Sequence, residues 1–142
     1  MYIPKHYLIE DRSEAVAFMR RYSFAAIVTA RDGVPTATHL PFLIEEEAGE
    51  ITLSAHFARA NAQWCDLETC EALVIFQEPH AYISPRHYDD APSVPTWDYV
   101  AVHAYGRGEI FADGEAIIER LIAEHERDFL DVWRGYSDEY KN

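Results

Sequence analysis

Three segments of the sequence combine polar side chains, aromatic rings and prolines near predicted strand ends, where barrels commonly open to ligands. The first is residues 37–41, ATHLP, which offers the Thr38 hydroxyl, the His39 imidazole and a proline without an N–H group. A strand of this composition can hydrogen-bond a heterocycle that carries several donors and acceptors. An edge strand with a half-exposed His39 explains the same residues equally well.

The second segment is residues 56–64, HFARANAQW. Here a strand end, Arg59 and a predicted helix start at Asn61 coincide. The free N–H groups and positive dipole at a helix start favour an anion, so this segment is a candidate anion site. The alternative is an ordinary capped helix that carries Arg59 on its surface.

The third segment pairs residues 83–85, ISP, with residues 94–99, VPTWDY. Proline stiffens both pieces, and Trp97 offers a flat surface on which a ring could stack, although a single Trp more often lies in a core or an interface. The sequence contains no GxGxxG, Walker, HExxH or GxSxG motif. Hydrolase and nucleotide-motor functions therefore have no support.

The two cysteines, Cys65 and Cys70, form no CxxC pair and have no His at metal-ligand spacing nearby. The sequence therefore predicts buried or reduced thiols and no metal site. No stretch reaches the roughly 20 apolar residues of a membrane helix, and no signal segment opens the chain. We accordingly expect a cytoplasmic protein without membrane association.

Twelve basic and twenty-five acidic residues leave a formal net charge of −13. A field of this sign repels the phosphates that supply most non-specific affinity for nucleic acids, so unaided DNA binding is disfavoured. Aromatic residues make up 13% of the chain, more than a core of this size readily hides. Some of the rings are therefore expected to line a pocket or a subunit interface.

Helices are predicted near the two ends of the chain and at one connection between strands. The first covers residues 11–22, where a capping residue precedes apolar side chains at helical spacing. The second covers residues 61–69, with Trp64 and Leu67 on its inner side. A final helix is predicted around the apolar stripe formed by Ile117, Ile118, Leu121, Ile122, Phe129 and Trp133.

The strands are short apolar runs bounded by turn residues. Asp32-Gly33 predicts a tight hairpin between the first two strands, and residues 78–80 predict a second hairpin later in the chain. Pro35 and Pro41 cannot donate ladder hydrogen bonds, so the second strand should lie partly at a sheet edge or be bent. The strands are predicted at residues 24–30, 34–44, 51–56, 72–77, 81–84 and 99–111.

About six short strands with helices at the ends favour a mainly β fold, a closed or nearly closed antiparallel barrel with peripheral helices, over a parallel sheet. The sequence has no repeat of fixed period and no composition break that would mark a linker. Residues 1–142 are therefore expected to form a single domain.

Five stretches of the chain, taken together and in order, closely resemble the PaiB family, described as FMN-binding negative transcriptional regulators. They are MYIPKHY, ATHLPF, HFARANAQW, VIFQEPHAYISPRHY and VPTWDYVAVHAYGRGEI. The resemblance runs from Met1 to about Phe111. It implies an FMN-binding split barrel related to pyridoxamine-phosphate oxidases and flavin reductases, in which two subunits pair and FMN lies at their interface.

The resemblance also assigns residues to the cofactor site. FMN carries a dianionic phosphate, which needs a cation and N–H donors, and a flat ring, which needs an apolar slot with hydrogen bonds at its edge. The family pattern implies that Thr38, His39 and Leu40 line the isoalloxazine ring, that His56, Arg59 and Asn61 lie near the phosphate, and that Gln63, Trp64, Ser84 and Trp97 close the site or the dimer contact.

Three features depart from the family pattern. Members continue for some tens of residues beyond the last helix, so the resemblance implies that this C-terminal tail is absent here. Asp98 stands where Asn is expected after the Trp and adds a negative charge close to the implied site. Ala62 replaces the proline expected after the helix cap, a milder change because proline at the first helical position only pre-organises the helix.

Three functions fit these observations. The first is an FMN-binding regulatory protein, as the family description states, although the net charge disfavours direct contact with DNA. The second is a flavin-dependent oxidoreductase or flavin reductase that passes electrons from a nicotinamide to a small acceptor. The third is a haem-handling split barrel that uses a histidine as axial ligand.

Overall fold

A computed structural model of the chain describes residue 3 and residues 5–78, 80–88 and 93–111. The final helix predicted from the sequence lies outside these residues. Within the described residues, one α-helix, α1 (Arg12–Arg21), is followed by seven strands. They are β1 (Phe24–Arg31), β2 (Val34–Glu47), β3 (Glu50–Ala55), β4 (Ala72–Gln77), β5 (Ala81–Ile83), β6 (Thr96–Asp98) and β7 (Ala101–Gly106), with 3-10 helices at Lys5–Tyr7, Ala62–Asp66 and Pro85–His87.

Five of the strands form one antiparallel sheet in the order β3-β2-β1-β4-β7, and β5 pairs with β6 in a separate two-stranded sheet. The five-stranded sheet curls into a half-barrel, which confirms the mainly β, antiparallel split-barrel fold with peripheral helices. No described helix is long and apolar enough to cross a membrane.

The core lies inside the curl of the sheet. Alternate side chains of the central strands point into it, and α1 covers it with Val16 and Met19, both almost fully buried. Phe76 of β4 is completely buried and meets Phe42 of β2 edge-to-face, with ring centroids 5.8 Å apart. Burial of one such ring stabilises the fold by roughly 1.5–3 kcal/mol.

The predicted first helix is confirmed, and its start is set by Asp11. The Asp11 side chain accepts hydrogen bonds from the Ser13 hydroxyl and from the Ser13 N–H, both at 2.8 Å. These bonds occupy N–H and O–H donors at the helix start. They also hold the pKa of the Asp11 carboxyl below its usual value, because they favour the charged form.

Two tight turns set the register of the first three strands. The predicted Asp32-Gly33 turn is confirmed, with φ angles of 52° and 79°. Ala48 and Gly49 form a similar turn between β2 and β3, with φ angles of 50° and 85°. Positive φ at both central residues gives the turn a twist that matches the flanking strands, so each hairpin continues directly into its ladder.

The predicted hairpin between residues 72–77 and 81–84 is wrong. β4 pairs with β1 on one side and β7 on the other, whereas β5 pairs with β6. An apolar strand such as β4 needs neighbours on both edges and cover on its inner face, and an interior position in the five-stranded sheet supplies them. The three-residue β5 remains exposed at Ala81 and Tyr82.

The single strand predicted over residues 99–111 is also shorter in the structure. β7 ends at Gly106, and the chain then passes close to Leu67, whose carbonyl accepts a hydrogen bond of 3.0 Å from the Gly108 N–H. A Cβ atom on Gly108 would lie 2.8 Å from the Leu67 Cβ. This close approach requires glycine and explains why the strand pattern stops here.

Candidate functional site

One half of β2 has a neighbouring strand on one side only. Residues 42–47 pair with β3, whereas residues 34–41 pair with β1 alone. The predicted partial edge is therefore confirmed. The Phe42 N–H donates to the Ser23 carbonyl at 2.9 Å. Because antiparallel pairing alternates, the even-numbered residues of this half bond to β1 and the odd-numbered ones point outwards.

The outward backbone groups form what we term the free edge, which runs from Pro35 to Pro41. Within the part of the chain that the structure describes, neither the Ala37 N–H nor the His39 N–H has a hydrogen-bond partner. Pro35 and Pro41 occupy odd-numbered positions, so neither removes a hydrogen bond to β1. The free edge thus offers the N–H groups of Ala37 and His39 as donors and the outward carbonyls of the same two residues as acceptors.

The 3-10 helix Ala62–Asp66 packs against β1 and β2. The predicted helix over residues 61–69 is therefore shorter and of a different type. Its buried residues are Gln63 and Asp66, which are three apart and share one side of a three-residue turn. Trp64 and Leu67, predicted to face inwards, are only half-buried. The two buried polar residues face inwards because β1 and β2 provide hydrogen-bond partners for them.

Gln63 is 3% exposed, and both ends of its side-chain amide are bonded. Nε2 donates to the backbone carbonyls of Ile27 at 3.1 Å and Thr36 at 2.9 Å. It also lies 3.2 Å from Thr29 Oγ1, while Oε1 accepts from the Thr38 hydroxyl at 2.5 Å. The two carbonyls can only accept, so the NH₂ group must face them and the amide has one possible orientation.

This orientation determines the hydrogen bonds of Thr38 and Asn61. Because Gln63 Oε1 can only accept, the Thr38 hydroxyl donates its single proton to it and accepts from Asn61 Nδ2 at 2.9 Å. Asn61 Oδ1 accepts from the Gln63 N–H at 3.0 Å, which caps the short helix. Thr38 has no proton left for a ligand, whereas the second N–H of the Asn61 amide has no partner among the described residues and can donate.

Three residues that were not predicted as site residues complete this network. The Thr29 hydroxyl, buried on β1, lies 3.3 Å from Asp66 Oδ2. The guanidinium of Arg31, at the end of the same strand, forms an ion pair with Asp66 Oδ1. Asp66 follows Gln63 by one 3-10 turn, and threonines occupy the facing strand positions. This spacing of polar residues is the signal in the sequence that could have indicated the three residues.

The remaining predicted residues on this side lie around the network without joining it. Leu40 is half-buried against the core, whereas His39 lies on the opposite face of β2 and stacks on Phe24, with ring centroids 6.1 Å apart. His56 and Arg59 are exposed in the segment after β3. The indole N–H of Trp64 donates to the Arg59 carbonyl at 3.4 Å, which folds this segment back on itself.

Ser84 and Trp97 belong to the small β5–β6 sheet. Ser84 Oγ accepts from the Arg86 N–H at 3.3 Å and so caps the helix Pro85–His87. Trp97 is 56% exposed and makes edge contacts with His80 and Tyr82 at centroid distances of 5.2 and 5.6 Å. Among the described residues, the structure therefore brings together Thr38, Asn61 and Gln63 but does not place Ser84 or Trp97 beside them.

Comparison with known proteins identifies the class of this half-barrel. The sequence matches the family described as "Putative FMN-binding domain" over residues 1–141. The structure is similar to the flavocytochrome Anf3 from Azotobacter vinelandii, with a TM-score of 0.57 and 20% identity over 92% of this chain and 56% of that one. The chain is thus a flavin-type split barrel. It belongs to the FMN-binding domain family, and its cofactor is FMN.

Curated relatives confirm the PaiB-like relationship. The chain is 42% identical over 123 residues to the protease synthase and sporulation protein PAI 2 of Bacillus subtilis, covering 86% of this chain and 59% of that protein. It is also 42% identical over 83 residues to an uncharacterized protein of Saccharomyces cerevisiae, covering 54% of this chain and 49% of the relative. The chain therefore spans about half to three-fifths of the length of these relatives.

The donors and acceptors of the site fit FMN. The pyrimidine edge of the isoalloxazine ring carries an N–H donor between two carbonyl acceptors, and the free edge offers complementary N–H and C=O groups from Ala37 and His39. The phosphate needs cations and N–H donors, and the exposed Arg59 and the spare N–H of Asn61 can supply them. No three His, Cys, Asp or Glu side chains in the described ranges are placed to hold a metal ion.

The Gln63 amide is predicted to be essential for stability. Gln63→Glu places a carboxyl oxygen against the Ile27 and Thr36 carbonyls and should cost about 2–3 kcal/mol at pH 7, because two buried acceptors then face each other without a proton. Burial raises the pKa of the new carboxyl above its unfolded value of about 4.3. The penalty should therefore be small below that pH and grow as the pH rises through the folded pKa.

Urea unfolding at a series of pH values measures this effect. Ala62→Glu, which adds the same charge at the neighbouring exposed position, serves as the control and should leave the pH profile close to that of the wild type. A Gln63→Glu variant as stable as the wild type at pH 7 would contradict the assigned amide orientation.

Proposed function

We propose that the chain binds FMN along the free edge of β2, with the phosphate beside residues 56–61. The observation that carries this proposal is the free edge itself, since Ala37 and His39 present N–H and C=O groups without partners in the described chain. A backbone edge approaches a flat ring closely and recognises it by hydrogen bonds alone. Bound FMN supplies the redox chemistry, and the chain supplies position and hydrogen bonds.

The phosphate end of the proposed site lies at the cap of the short helix. The Asn61 amide is held by Thr38 on one side and by the Gln63 N–H on the other, so its free N–H points in a fixed direction. Arg59 is exposed two residues earlier and has no ion-pair partner among the described residues. A dianionic phosphate is attracted by such a donor and such a cation together.

Ala37→Pro tests the free edge directly. The substitution removes an N–H that points away from β1, so the ladder stays intact and the urea midpoint should change little. Loss of one hydrogen bond to the ring should raise the FMN dissociation constant about five- to tenfold. Quenching of flavin fluorescence during titration measures the constant.

Thr36→Pro is the matched contrast. It removes an N–H that points towards β1 and should therefore destabilise the hairpin strongly. Unchanged FMN affinity in Ala37→Pro would show that the ring lies elsewhere.

We propose further that the chain forms a homodimer through the outer face of the half-barrel. On this face β1, β4, β7 and residues 35–43 of β2 carry no Asp, Glu, Lys or Arg side chain, and the first carboxylates along β2 are those of Glu45 and Glu47, next to β3. Phe24 and Tyr105 on it are 65% and 63% exposed. In a chain of net charge −13, an uncharged apolar face is where two copies can meet with least repulsion.

Val28→Glu tests the dimer. Val28 pairs with Ala37 on β2 and with Leu73 on β4, so it lies near the centre of this face. A carboxylate there would be desolvated in the dimer, and the variant should sediment at the chain mass of 16.3 kDa rather than twice that value. Thr52→Glu, exposed on β3 opposite Glu45, adds the same charge at the end of the face that already carries carboxylates and should leave the dimer intact. A dimeric Val28→Glu variant would contradict the assignment.

Regulation of transcription is the biological role that the PaiB-like relationship favours, and we propose it for this chain in an indirect form. The net charge opposes direct contact with DNA, so the protein would act through a partner or through the state of its flavin. The alternative is an oxidoreductase that accepts electrons from a nicotinamide. We place either activity in the cytoplasm, where Cys65 and Cys70, which are not paired with each other, would stay reduced.

Two measurements on the FMN-loaded protein separate these roles. An indirect regulator should show no change in the fluorescence anisotropy of genomic DNA fragments at low salt and no anaerobic bleaching of its flavin by NADH or NADPH. Rapid bleaching would favour the oxidoreductase, and tight DNA binding at low salt would contradict the indirect form of regulation.

A further inference from the structure

A chain of hydrogen bonds connects a buried carboxylate to the proposed phosphate site. It begins at Asp66, which is 6% exposed, and passes through the Thr29 hydroxyl to the Gln63 amide. It continues from Gln63 through the Thr38 hydroxyl to Asn61. This series of hydrogen bonds therefore joins two strands and the short helix through side chains alone.

Every donor in this series of hydrogen bonds points towards Asp66. Gln63 Nε2 can only donate and shares its two protons among the Ile27 carbonyl, the Thr36 carbonyl and Thr29 Oγ1, so Thr29 faces it as an acceptor and gives its own proton to the carboxylate. In the same way Thr38 donates to Gln63, and Asn61 donates to Thr38. A carboxylate has no proton to give, and it is the group that keeps the Thr29 proton turned away from Gln63. Chains with one direction strengthen each of their bonds.

The burial of the Asp66 carboxylate costs free energy, and orienting the Thr29 hydroxyl is a reason for burying it. Its Oδ1 is buried and accepts no hydrogen bond in the described chain, and it faces only the Arg31 guanidinium. Arg31 is 56% exposed at its side chain, so the ion pair itself is only partly shielded from water. A pair of this kind contributes little net stability, which leaves the orientation of Thr29 as the function of the carboxylate.

We propose that Asp66 is a positioning residue for the FMN phosphate, acting through Thr29, Gln63 and Thr38 on the Asn61 amide. This inference rests on the proposed function, which places the phosphate beside Asn61. Asp66 does not touch the cofactor in this account. The Ile27 and Thr36 carbonyls set the orientation of the Gln63 amide, and Asp66 keeps the Thr29 proton from opposing Nε2 and displacing that amide together with Thr38 and Asn61.

Asp66→Asn is the decisive substitution because it changes no shape. The Arg31 guanidinium would attract the amide oxygen of the new side chain, which turns the NH₂ group towards Thr29. The Thr29 hydroxyl would then accept from that NH₂ group and turn its own proton towards Gln63 Nε2, so that two donors meet and the link breaks. Adding Arg31→Gln removes the guanidinium and lets the oxygen return to Thr29.

The test compares the dissociation constants of FMN and riboflavin, which differ only in the phosphate. We expect Asp66→Asn to weaken FMN about five- to tenfold and riboflavin less than about twofold. The double variant with Arg31→Gln should recover most of the FMN affinity. A purely structural role would weaken both ligands alike and would gain nothing from the second substitution.

Two further variants serve as checks. Thr29→Val keeps the shape of the side chain, removes the hydroxyl between Asp66 and Gln63, and should give the same phosphate-selective loss even if Asp66→Asn folds poorly. Glu68→Gln removes one exposed negative charge close by and should change neither constant. Equal loss in Glu68→Gln would assign the effect to net charge and overturn the proposal.

The outcome for the wild type separates this inference from the proposed function. If the wild type bound FMN and riboflavin with equal affinity, the phosphate would not lie at Asn61, and both proposals would fail. If the wild type preferred FMN and Asp66→Asn kept the same preference, the role of Asp66 would be overturned while the proposed function stood.

Discussion

The side-chain amide of Gln63 is the interaction on which the geometry of the site depends. It satisfies two backbone carbonyls on two different strands, and it holds the Thr38 hydroxyl with its other end. Leaving a buried polar group without a partner costs about 1–3 kcal/mol, so only one arrangement of the short helix on the sheet satisfies all three groups. The positions of Asn61 and Asp66 follow from that arrangement, because both flank Gln63 on the same short helix.

The free edge of β2 is the second constraint, and its prolines explain how it can exist. An exposed strand edge normally invites pairing with another strand. Pro35 and Pro41 stand at outward-pointing positions, so they leave the ladder to β1 intact and limit the outward donors to those of Ala37 and His39. So short a row of donors suits a small flat ligand better than a long partner strand. The uncharged part of the outer face includes this same half of β2, which puts the proposed cofactor site and the proposed dimer contact side by side.

Local signals in the sequence predicted the local elements. The first helix follows from Asp11 and the spacing of its apolar residues, and the first hairpin follows from Asp32-Gly33. The partial edge of β2 follows from its two prolines. The pairing of β4 with β1 and β7 could not be predicted in this way, because it depends on which distant strands need cover, and the shorter link to β5 pointed to a hairpin instead.

The site was predictable only in part for the same reason. The resemblance indicated Thr38, Asn61 and Gln63, and the structure brings these three together. It did not indicate Asp66, Thr29 or Arg31, which come from a helix and a strand more than thirty residues apart and meet only after the helix docks. The inner side of the short helix was also predicted wrongly. The apolar residues Trp64 and Leu67 suggested that they face the sheet, whereas the 3-10 turn places the polar residues Gln63 and Asp66, also three apart, on that side.

Amide hydrogen exchange with and without FMN, followed residue by residue in NMR spectra, tests whether the ring binds along the free edge. We expect the Ala37 and His39 amides to exchange fast in the free protein and slowly once FMN is bound, whereas the Thr36, Thr38 and Leu40 amides are protected in both states. Fast exchange of Ala37 and His39 in the FMN-saturated protein would contradict binding along the free edge.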